Sequence, residues 1–296
     1  MQYYDANTFL YLNGKFVKAS EASTDLYSQS LHYGYAVFEG IKSYHTHNGT
    51  RMFKAREHYE RLKRSAELMH IPFPYEVDDL IRQTYKLLEK NNFKDAYIRP
   101  LVYCGPHMTL SPGAEVSILI CAWEWGAYLG CTLQKACISS YQRPNPKSTH
   151  IEAKASGHYI NSILATTEAK AKGFDEAILL DMNGHVAEAS GANIFIEKNG
   201  KLYTPALGHI LPGITRTTVI RLCKTLDIEC IEKQITVDEL KAADSAFFCG
   251  TAAEIAGIAS IDETVFPSLW TETIGATIQR TYKALVLEKQ NYEVII

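Results

Sequence analysis

The stretch FLYLNGKFV, at residues 9–17, shows the local pattern from which the fold class follows. Asn13-Gly14 stands there between two short apolar runs. Asn-Gly readily adopts the positive φ angles of a two-residue turn, so this pattern predicts an antiparallel hairpin. The same pattern recurs at Asn48-Gly49, Asn183-Gly184 and Asn199-Gly200. Antiparallel sheet is therefore expected in both halves of the chain.

Helical periodicity and apolar runs complete the predicted secondary structure. The periodicity predicts helices at 55–69, 77–89, 159–172, 215–226 and 269–288, and apolar runs predict strands at 96–104 and 116–123. Helices and strands cluster instead of alternating, which favours an α+β fold over a doubly wound sheet. The segment 125–131, rich in glycine and aromatic residues, is interpreted as a linker between domains at 1–124 and 132–296.

Composition and charge exclude several classes of protein. The chain has 296 residues and a formal net charge of −3, without a basic block that would favour nucleic acid or anionic membrane. Its seven cysteines form no CxxC pair, which indicates reduced thiols. There is no signal-peptide pattern and no apolar run of about 18 residues. We therefore expect a cytoplasmic protein.

Several common catalytic motifs are missing from the sequence. It contains no GxGxxG after a strand, no GxxxxGK[ST], no HExxH and no GxSxG. His45 and His47 lie at the tip of a predicted hairpin, where a solvated turn is favoured over a metal site. Nicotinamide, nucleotide and zinc-hydrolase chemistry therefore have no sequence support, and no metal is expected.

Lys154 is the first candidate for catalysis. It lies between two alanines, three residues before Gly157 and just before a predicted helix. A single lysine is usually a surface cation. Small neighbours, however, allow partial desolvation, which lowers the pKa of a lysine and makes the amine nucleophilic.

Two segments could bind an anion, and one carboxylate lies close to them in sequence. In LPGITR a helix begins after Gly213, so the first amides are available for a phosphate. In AFFCGTAAE, Thr251 and Glu254 have the spacing of a capping box. Ordinary helix capping is the alternative for both segments. Glu188, at a predicted strand end, could bind a protonated ring nitrogen or face solvent.

Eight motifs follow one another along the chain: LHYGYAVFEGIKSY (31–44), FKAREHYERL (53–62), AYIRPL (96–101), WGAYLG (125–130), AKASGHY (153–159), EASGANIF (188–195), LPGITR (211–216) and GTAAE (250–254). Together they resemble the branched-chain amino-acid aminotransferases, which are class IV pyridoxal-phosphate (PLP) enzymes of fold type IV. The resemblance implies an α+β fold with two domains, a smaller N-terminal α/β sandwich and a larger C-terminal domain that resembles a β-barrel with helices.

The resemblance also implies a PLP site. Lys154 would be the catalytic lysine that holds the cofactor covalently, and the other cofactor-binding residues would be Arg56, Tyr159, Glu188, Leu211, Ile214, Thr215 and Thr251. Arg56 would grip the phosphate together with the amides of Ile214 and Thr215. Tyr159 and Glu188 would bind the ring oxygen and the ring nitrogen.

A substrate pocket is implied in the same way. Its residues would be Tyr33, Phe38, Gly40, Tyr97, Arg99, Trp125, Tyr128, Gly191, Thr251 and Ala252. Arg99 at the edge of an apolar wall would bind the γ-carboxylate of glutamate without excluding a branched alkyl chain. Ala189 and Ala192 depart from residues that are common in the family, and this affects pocket shape more than proton chemistry.

The predicted activity is a ping-pong transamination between L-leucine, L-isoleucine or L-valine and 2-oxoglutarate. A D-amino-acid aminotransferase and an aminodeoxychorismate lyase are the alternatives within the same fold, and a non-catalytic binding module is a third. The family resemblance further implies a homodimer as the minimum unit, with small amino and 2-oxo acids as the other partners.

Overall fold

The structure, a computed structural model, describes residues 3–125 and 133–288. Contacts divide the chain into two compact units. Unit 1 contains the residues up to 125 together with Ala153–Gly157, and unit 2 contains the remaining described residues. The short segment that carries Lys154 therefore packs with unit 1, although the sequence interpretation placed it in the domain 132–296. The proposed linker 125–131 lies almost entirely outside the described residues.

Unit 1 is an antiparallel sheet covered by helices. Its strands are β1 (Phe9–Leu12), β2 (Lys15–Lys18), β3 (Ala36–Phe38), β4 (Ile41–Thr46), β5 (Gly49–Met52), β6 (Ala96–Cys104) and β7 (Val116–Glu124), and its helices are α1 (Gln29–Tyr33), α2 (Ala55–Leu68) and α3 (Val77–Lys90). The sheet order is β2-β1-β7-β6-β4-β5, and β3 also pairs with β6. The core of this unit, which includes Tyr59, Leu62 and Leu87, lies where α2 packs on β3 and α3 packs on β1 and β7.

Unit 2 is built on a mixed sheet. Its strands are β8 (Gln134–Gln142), β9 (Glu176–Leu180), β10 (Val186–Ala189), β11 (Asn193–Lys198), β12 (Lys201–Pro205), β13 (Cys230–Lys233), β14 (Ser245–Gly250), β15 (Glu254–Ile261) and β16 (Thr264–Val265). Its helices are α4 (Tyr159–Ala171), α5 (Ile214–Thr225), α6 (Val237–Lys241) and α7 (Ile274–Val286). The sheet order is β10-β9-β8-β15-β14-β11-β12-β13, and β16 pairs with β15. The pairs β8–β9, β8–β15 and β12–β13 are parallel.

The four Asn-Gly pairs all connect antiparallel strands, as predicted. At Asn13-Gly14 and Asn199-Gly200 both residues have positive φ, so each forms the two-residue turn that the sequence favours. The other two turns differ in detail. Gly49 already belongs to β5, and Gly184 lies in a longer loop that Asp181 closes by accepting from the amides of Asn183 and His185.

The predicted fold class, α+β, is confirmed. The five predicted helices are present, although the last one is divided: a short 3-10 helix at Trp270–Glu272 precedes α7, and Thr273 caps α7 by accepting from the Ala276 amide. Two helices of five residues, α1 and α6, were not predicted. Among residues 3–125 and 133–288, no helix has the length and apolar character needed to cross a membrane.

Candidate active site

Lys154 is held by its backbone against β3 and α2 of unit 1. Its amide donates to Ser65 Oγ at 3.0 Å, and its carbonyl accepts from the Phe38 amide at 3.0 Å. Ala153 and Ala155 on either side are almost completely buried, whereas Lys154 itself is half-buried. The small neighbours thus allow the backbone to pack tightly on both sides of a lysine that is itself only half-buried. Lys154 Nζ lies 5.1 Å from the centre of the Phe38 ring.

A buried ionic cluster lies beside this lysine. Glu39, with a fully buried side chain, accepts from His58 Nδ1 at 2.7 Å and from Arg61 Nε at 2.6 Å and Nη2 at 3.0 Å. Burial opposes ionisation of Glu39, yet the Arg61 and His58 charges hold its pKa well below the ordinary value. Burial also lowers the pKa of His58, and the charges of Arg61 and Lys154 act in the same direction, against the effect of Glu39.

Arg56, the predicted phosphate ligand, lies elsewhere on α2. Its side chain is 56% exposed and pairs with Asp78 of α3 and Glu60. At about 100° per residue, His58 and Ser65 share one face of the helix, Arg61 borders that face, and Arg56 points away from it. The structure therefore does not bring Arg56 to the lysine, and Arg61, which the sequence interpretation missed, occupies the corresponding place. The spacing of His58, Arg61 and Ser65 is the signal that could have identified it.

The predicted pocket residues Phe38, Tyr97 and Arg99 are brought together in unit 1. Arg99 Cζ lies 4.5 Å from the Phe38 ring centre and 5.5 Å from that of Tyr97, and Arg99 Nη2 is 3.5 Å from Tyr97 Oη. The ring centre of Trp123, a residue that was not among the predicted pocket residues, lies 5.9 Å from Arg99 Cζ. Within the described part of the chain, Arg99 Nε and Trp123 Nε1 are buried without a hydrogen-bond partner. The pocket thus offers two buried N–H donors among aromatic rings.

The other pocket residues of unit 1 fall into two groups. Trp125 packs edge-on against Tyr97, with ring centres 4.8 Å apart, and Gly40 faces the Tyr97 hydroxyl. Tyr33 is 46% exposed, and its hydroxyl donates to the Met108 carbonyl at 3.3 Å. Tyr33 therefore lies at the surface of this unit, and the predicted Tyr128 lies outside the described residues.

In unit 2, the carboxylate of Glu188 is buried and surrounded by donors. Arg143 Nε lies 2.9 Å from Oε1, and the Leu211 amide donates to Oε1 at 3.1 Å. Asn193 Nδ2 donates to Oε2 at 2.9 Å. A shift in register between Val186 and Glu188 in the pairing of β10 with β9 leaves one extra residue there, and such bulges redirect side chains. The alternative of a solvent-facing glutamate is wrong, because Glu188 is only 5% exposed.

Helix α5 begins directly after the Leu211-Pro212-Gly213 segment. Gly213 precedes its first residue and supplies no side-chain cap, and Ile214 and Thr215 occupy the first two positions. The amides of these two residues precede the first backbone hydrogen bond of the helix, in which Thr217 donates to Gly213. Arg216 points elsewhere, because it pairs with Glu232 at 2.6 Å and so anchors α5 to β13.

Two turns of unit 2 lie side by side. The segment Thr251-Ala252 belongs to the hairpin turn between β14 and β15, so the helix cap considered for Thr251 and Glu254 is not formed. A Cβ on Gly250 would lie 3.5 Å from the Gly191 carbonyl, which places the two turns in contact. The predicted residues Gly191, Thr251 and Ala252 are therefore grouped. Tyr159 is the first residue of α4 and is half-buried.

Comparisons with known proteins identify the class to which this fold and these residues belong. The profile of the family described as amino-transferase class IV matches residues 36–261. The chain belongs to the class IV aminotransferases. It is 40% identical over 291 residues to the branched-chain-amino-acid aminotransferase of Pseudomonas aeruginosa, covering 96% of this chain and 95% of that protein.

Solved structures give the same result. A branched-chain aminotransferase from Thermoproteus uzoniensis with norvaline superposes with a TM-score of 0.92 at 42% identity, covering 96% of each chain. The branched-chain amino acid aminotransferase from Thermobaculum terrenum in its PLP-bound holo form has a TM-score of 0.90 at 32% identity, covering 96% of this chain and 95% of that one. The predicted family, enzyme class and cofactor are thereby confirmed.

Proposed function

We propose that this class IV aminotransferase transfers the amino group between L-leucine, L-isoleucine or L-valine and 2-oxoglutarate, giving branched-chain 2-oxo acids and L-glutamate by a ping-pong sequence. The observation that carries the proposal is the position of Phe38. Its ring centre lies 5.1 Å from Lys154 Nζ and 4.5 Å from Arg99 Cζ. A nucleophilic amine and a carboxylate-binding guanidinium therefore border the same apolar side chain.

The residues present fit PLP in its chemical requirements. Unit 1, taken by itself, contains the primary amine of Lys154 and the cationic Arg61. Unit 2, taken by itself, contains the buried Glu188 carboxylate and the uncapped start of α5. When bound, PLP supplies an electron sink that stabilises negative charge at the substrate α-carbon. Glu188 favours a protonated ring nitrogen, because a buried carboxylate next to a cationic ring stabilises its charge. Within unit 2, the amides of Ile214 and Thr215 and the Thr251 hydroxyl are the donors that we assign to the phosphate.

We assign the phosphate-binding arginine to Arg61 in place of Arg56. Arg61 uses Nε and Nη2 on Glu39, and this two-point contact fixes the plane of the guanidinium. Its side chain is 13% exposed, whereas that of Arg56 is 56% exposed and held by acidic neighbours. Because desolvated charge–charge contacts are stronger than exposed ones, Arg61 is the better partner for a phosphate.

Lys154 carries the proton transfer. With an amino acid bound, Lys154 Nζ would accept the α-proton of the substrate and hold it for return. The backbone hydrogen bonds of Lys154 to Ser65 and Phe38 fix the point of the backbone from which its side chain extends. Tyr159, at the start of α4, is assigned to the ring oxygen.

Substrate choice follows from the aromatic pocket. Phe38 and Tyr97 are less than 10% exposed and give an apolar wall for a branched alkyl chain. Glutamate needs a cation for its second carboxylate, and Arg99, whose Nε has no partner among the described residues, supplies it at the edge of the same wall. The turns at Gly191 and Thr251-Ala252 offer amides for the α-carboxylate.

The proposal includes a cytoplasmic homodimer as the minimum active unit. The six cysteines of the described residues are unpaired, which suits a reducing compartment. Leu26, Tyr27, Leu31 and Leu110 of unit 1 are large apolar side chains that are more than half exposed. Burial of such side chains by a second copy is favourable, and light scattering of the purified protein measures the assembly.

An absorbance experiment tests the activity. Purified protein supplied with PLP should show the visible band of lysine-bound cofactor, lose it on addition of L-leucine and regain it on addition of 2-oxoglutarate. D-alanine should leave the band unchanged. A band that responds to D-alanine and not to L-leucine would move the assignment to a D-amino-acid aminotransferase. Failure to take up PLP would contradict the proposal altogether.

A further inference from the structure

Asn193, the first residue of β11, connects two parts of the cofactor site proposed above. It is 5% exposed, and its Nδ2 donates to Glu188 Oε2 at 2.9 Å and to the Leu211 carbonyl at 3.1 Å. Its Oδ1 occupies the space in front of Gly213, where a Cβ would lie only 1.9 Å away. One amide side chain thus contacts the carboxylate and both ends of the Leu211-Pro212-Gly213 segment.

We propose that Asn193 is a positioning residue that holds Glu188 and the Leu211-Pro212-Gly213 segment in one fixed arrangement. This inference rests on the proposed function, in which Glu188 binds the ring nitrogen and the amides after Gly213 bind the phosphate. The ring nitrogen and the phosphate belong to one rigid cofactor, so their binding partners must lie at a constant separation. Asn193, within unit 2, fixes the separation between Glu188 and the segment that precedes the amides.

The hydrogen bonds around Asn193 form a closed cycle. Its Nδ2 has two N–H groups, and the two acceptors are Glu188 and Leu211. The Leu211 amide in turn donates to Glu188 Oε1 at 3.1 Å, which closes the cycle through the backbone. Because Glu188 and Asn193 are both buried, loss of one partner leaves a buried polar group with fewer hydrogen bonds than it needs.

The packing of Asn193 against Gly213 restricts which residues each of the two positions can accept. Aspartate at 193 would keep the shape but would lose both donors and place a second carboxylate against Glu188. Any side chain at 213 would collide with Asn193 Oδ1, and its Cβ would also approach Arg216 Cβ to 3.2 Å. The arrangement therefore requires both the amide of Asn193 and the absence of a side chain at Gly213.

A double-mutant cycle on the holoenzyme tests this inference. The proteins are wild type, Asn193→Ala, Gly213→Ala and the double variant, each loaded with PLP. The measurements are the rate of PLP release and the pH titration of the visible band of bound cofactor. We expect each single variant to release PLP about tenfold faster or more, because each breaks one link of the cycle.

The double variant shows whether the effects of Asn193→Ala and Gly213→Ala on PLP release are coupled or independent. In the Asn193→Ala background the colliding Oδ1 is gone. Gly213→Ala should therefore increase the rate of PLP release by less than about twofold in that background. Asn193→Asp should be at least as impaired as Asn193→Ala and should shift the band titration. Asn183→Ala, at an exposed turn of the same unit, is the control and should match wild type. If Asn193→Ala does not fold, Asn193→Ser replaces it in the cycle.

Two results would overturn the inference alone. One is a wild-type release rate and band titration in Asn193→Ala and Asn193→Asp. The other is a full additional penalty for Gly213→Ala in the Asn193→Ala background. A wild-type chain that takes up no PLP would instead overturn the proposed function, and this inference with it.

Discussion

Gly40 leaves the space that the hydroxyl of Tyr97 occupies. A Cβ at position 40 would lie 2.0 Å from Tyr97 Oη and 2.7 Å from Cζ, so the two residues are complementary where β4 pairs with β6. Tyr97 in turn contacts Arg99 at 3.5 Å and packs against Trp125. The position of the proposed substrate arginine therefore depends on a glycine that is distant from it in sequence.

Gly40→Ala should weaken both substrate binding and the fold. The atom in its way is the end of a side chain that can rotate, so we expect Tyr97 to move away from Arg99. The KM for L-leucine and 2-oxoglutarate should rise about tenfold, with a change in unfolding free energy of about 1–2 kcal/mol. Steady-state kinetics and urea unfolding measure the two effects. Tyr97→Phe in the Gly40→Ala background removes the colliding oxygen and should recover part of the loss, whereas an unchanged KM in Gly40→Ala would contradict the packing argument.

Lys154→Ala should abolish transamination and leave the fold intact. The lysine contacts Ser65 and Phe38 through its backbone, and alanine keeps both hydrogen bonds. The unfolding temperature should therefore stay within a few degrees of wild type, while turnover falls below detection because the nucleophile is gone. Lys172→Ala is the control, since the Lys172 side chain is 51% exposed and pairs with Glu168, and it should retain full activity. Substantial turnover by Lys154→Ala would rule out the catalytic role.

Arg61 and Arg56 form a matched pair for testing the phosphate assignment. Arg61→Leu removes a cation from a site where Glu39 is fully buried, so it should cost about 3–5 kcal/mol of unfolding free energy and weaken PLP binding at least about tenfold. Arg56→Leu breaks exposed ion pairs and should cost less than about 1 kcal/mol with PLP affinity unchanged. Fluorescence titration with PLP and urea unfolding measure both properties. Arg61→Lys keeps the charge without the bidentate contact, so its PLP affinity and stability should lie between those of Arg61→Leu and Arg56→Leu. If Arg56→Leu weakened PLP binding more than Arg61→Leu, the assignment would return to Arg56.

The contrast between these arginines shows how far the sequence could predict the site. Lys154, Glu188 and the start of α5 lie in motifs that resemble those of the aminotransferases, and this resemblance, not the local chemistry, gave each of them its predicted role. Arg56 and Arg61 lie on one helix, and the choice between them depends on which face α3 and the sheet cover. That face is defined by His58, Leu62 and Ser65, two of which are polar, so hydrophobic periodicity alone did not reveal it.

The fold shows the same limit. Asn-Gly turns determine their own geometry, so the hairpins were predictable, whereas α1 and α6 have five residues each and are too short for a periodic signal. Trp123 and Asn193 entered no predicted set because their roles arise from neighbours that are distant in sequence. Arg143 was missed for the same reason, since its ion pair with Glu188 joins the end of β8 to β10.

Acid should destabilise the cluster of Glu39 and Arg61 in a defined pH range. The pKa of Glu39 is lowered from its ordinary value of 4.5, because the Arg61 and His58 charges outweigh the opposing effect of burial. The unfolded chain therefore binds a proton first, so the stability that ionised Glu39 contributes is complete above about pH 4.5 and is lost as the pH falls below it. His58 titrates nearby, and comparing His58→Gln with His58→Gln/Glu39→Gln removes it from the measurement.

Urea unfolding of these two variants between about pH 7 and pH 3 gives the required difference in free energy. We expect Glu39 to be stabilising at pH 7, since it neutralises the partly buried Arg61. The difference should then shrink by about 1.4 kcal/mol for each pH unit below about 4.5, which is the linkage slope for one proton. A difference that stays constant down to about pH 3 would mean that Glu39 binds its proton equally well in the folded and the unfolded chain. In that case Arg61 would not stabilise the ionised carboxylate, and the phosphate assignment to Arg61 would lose its main support.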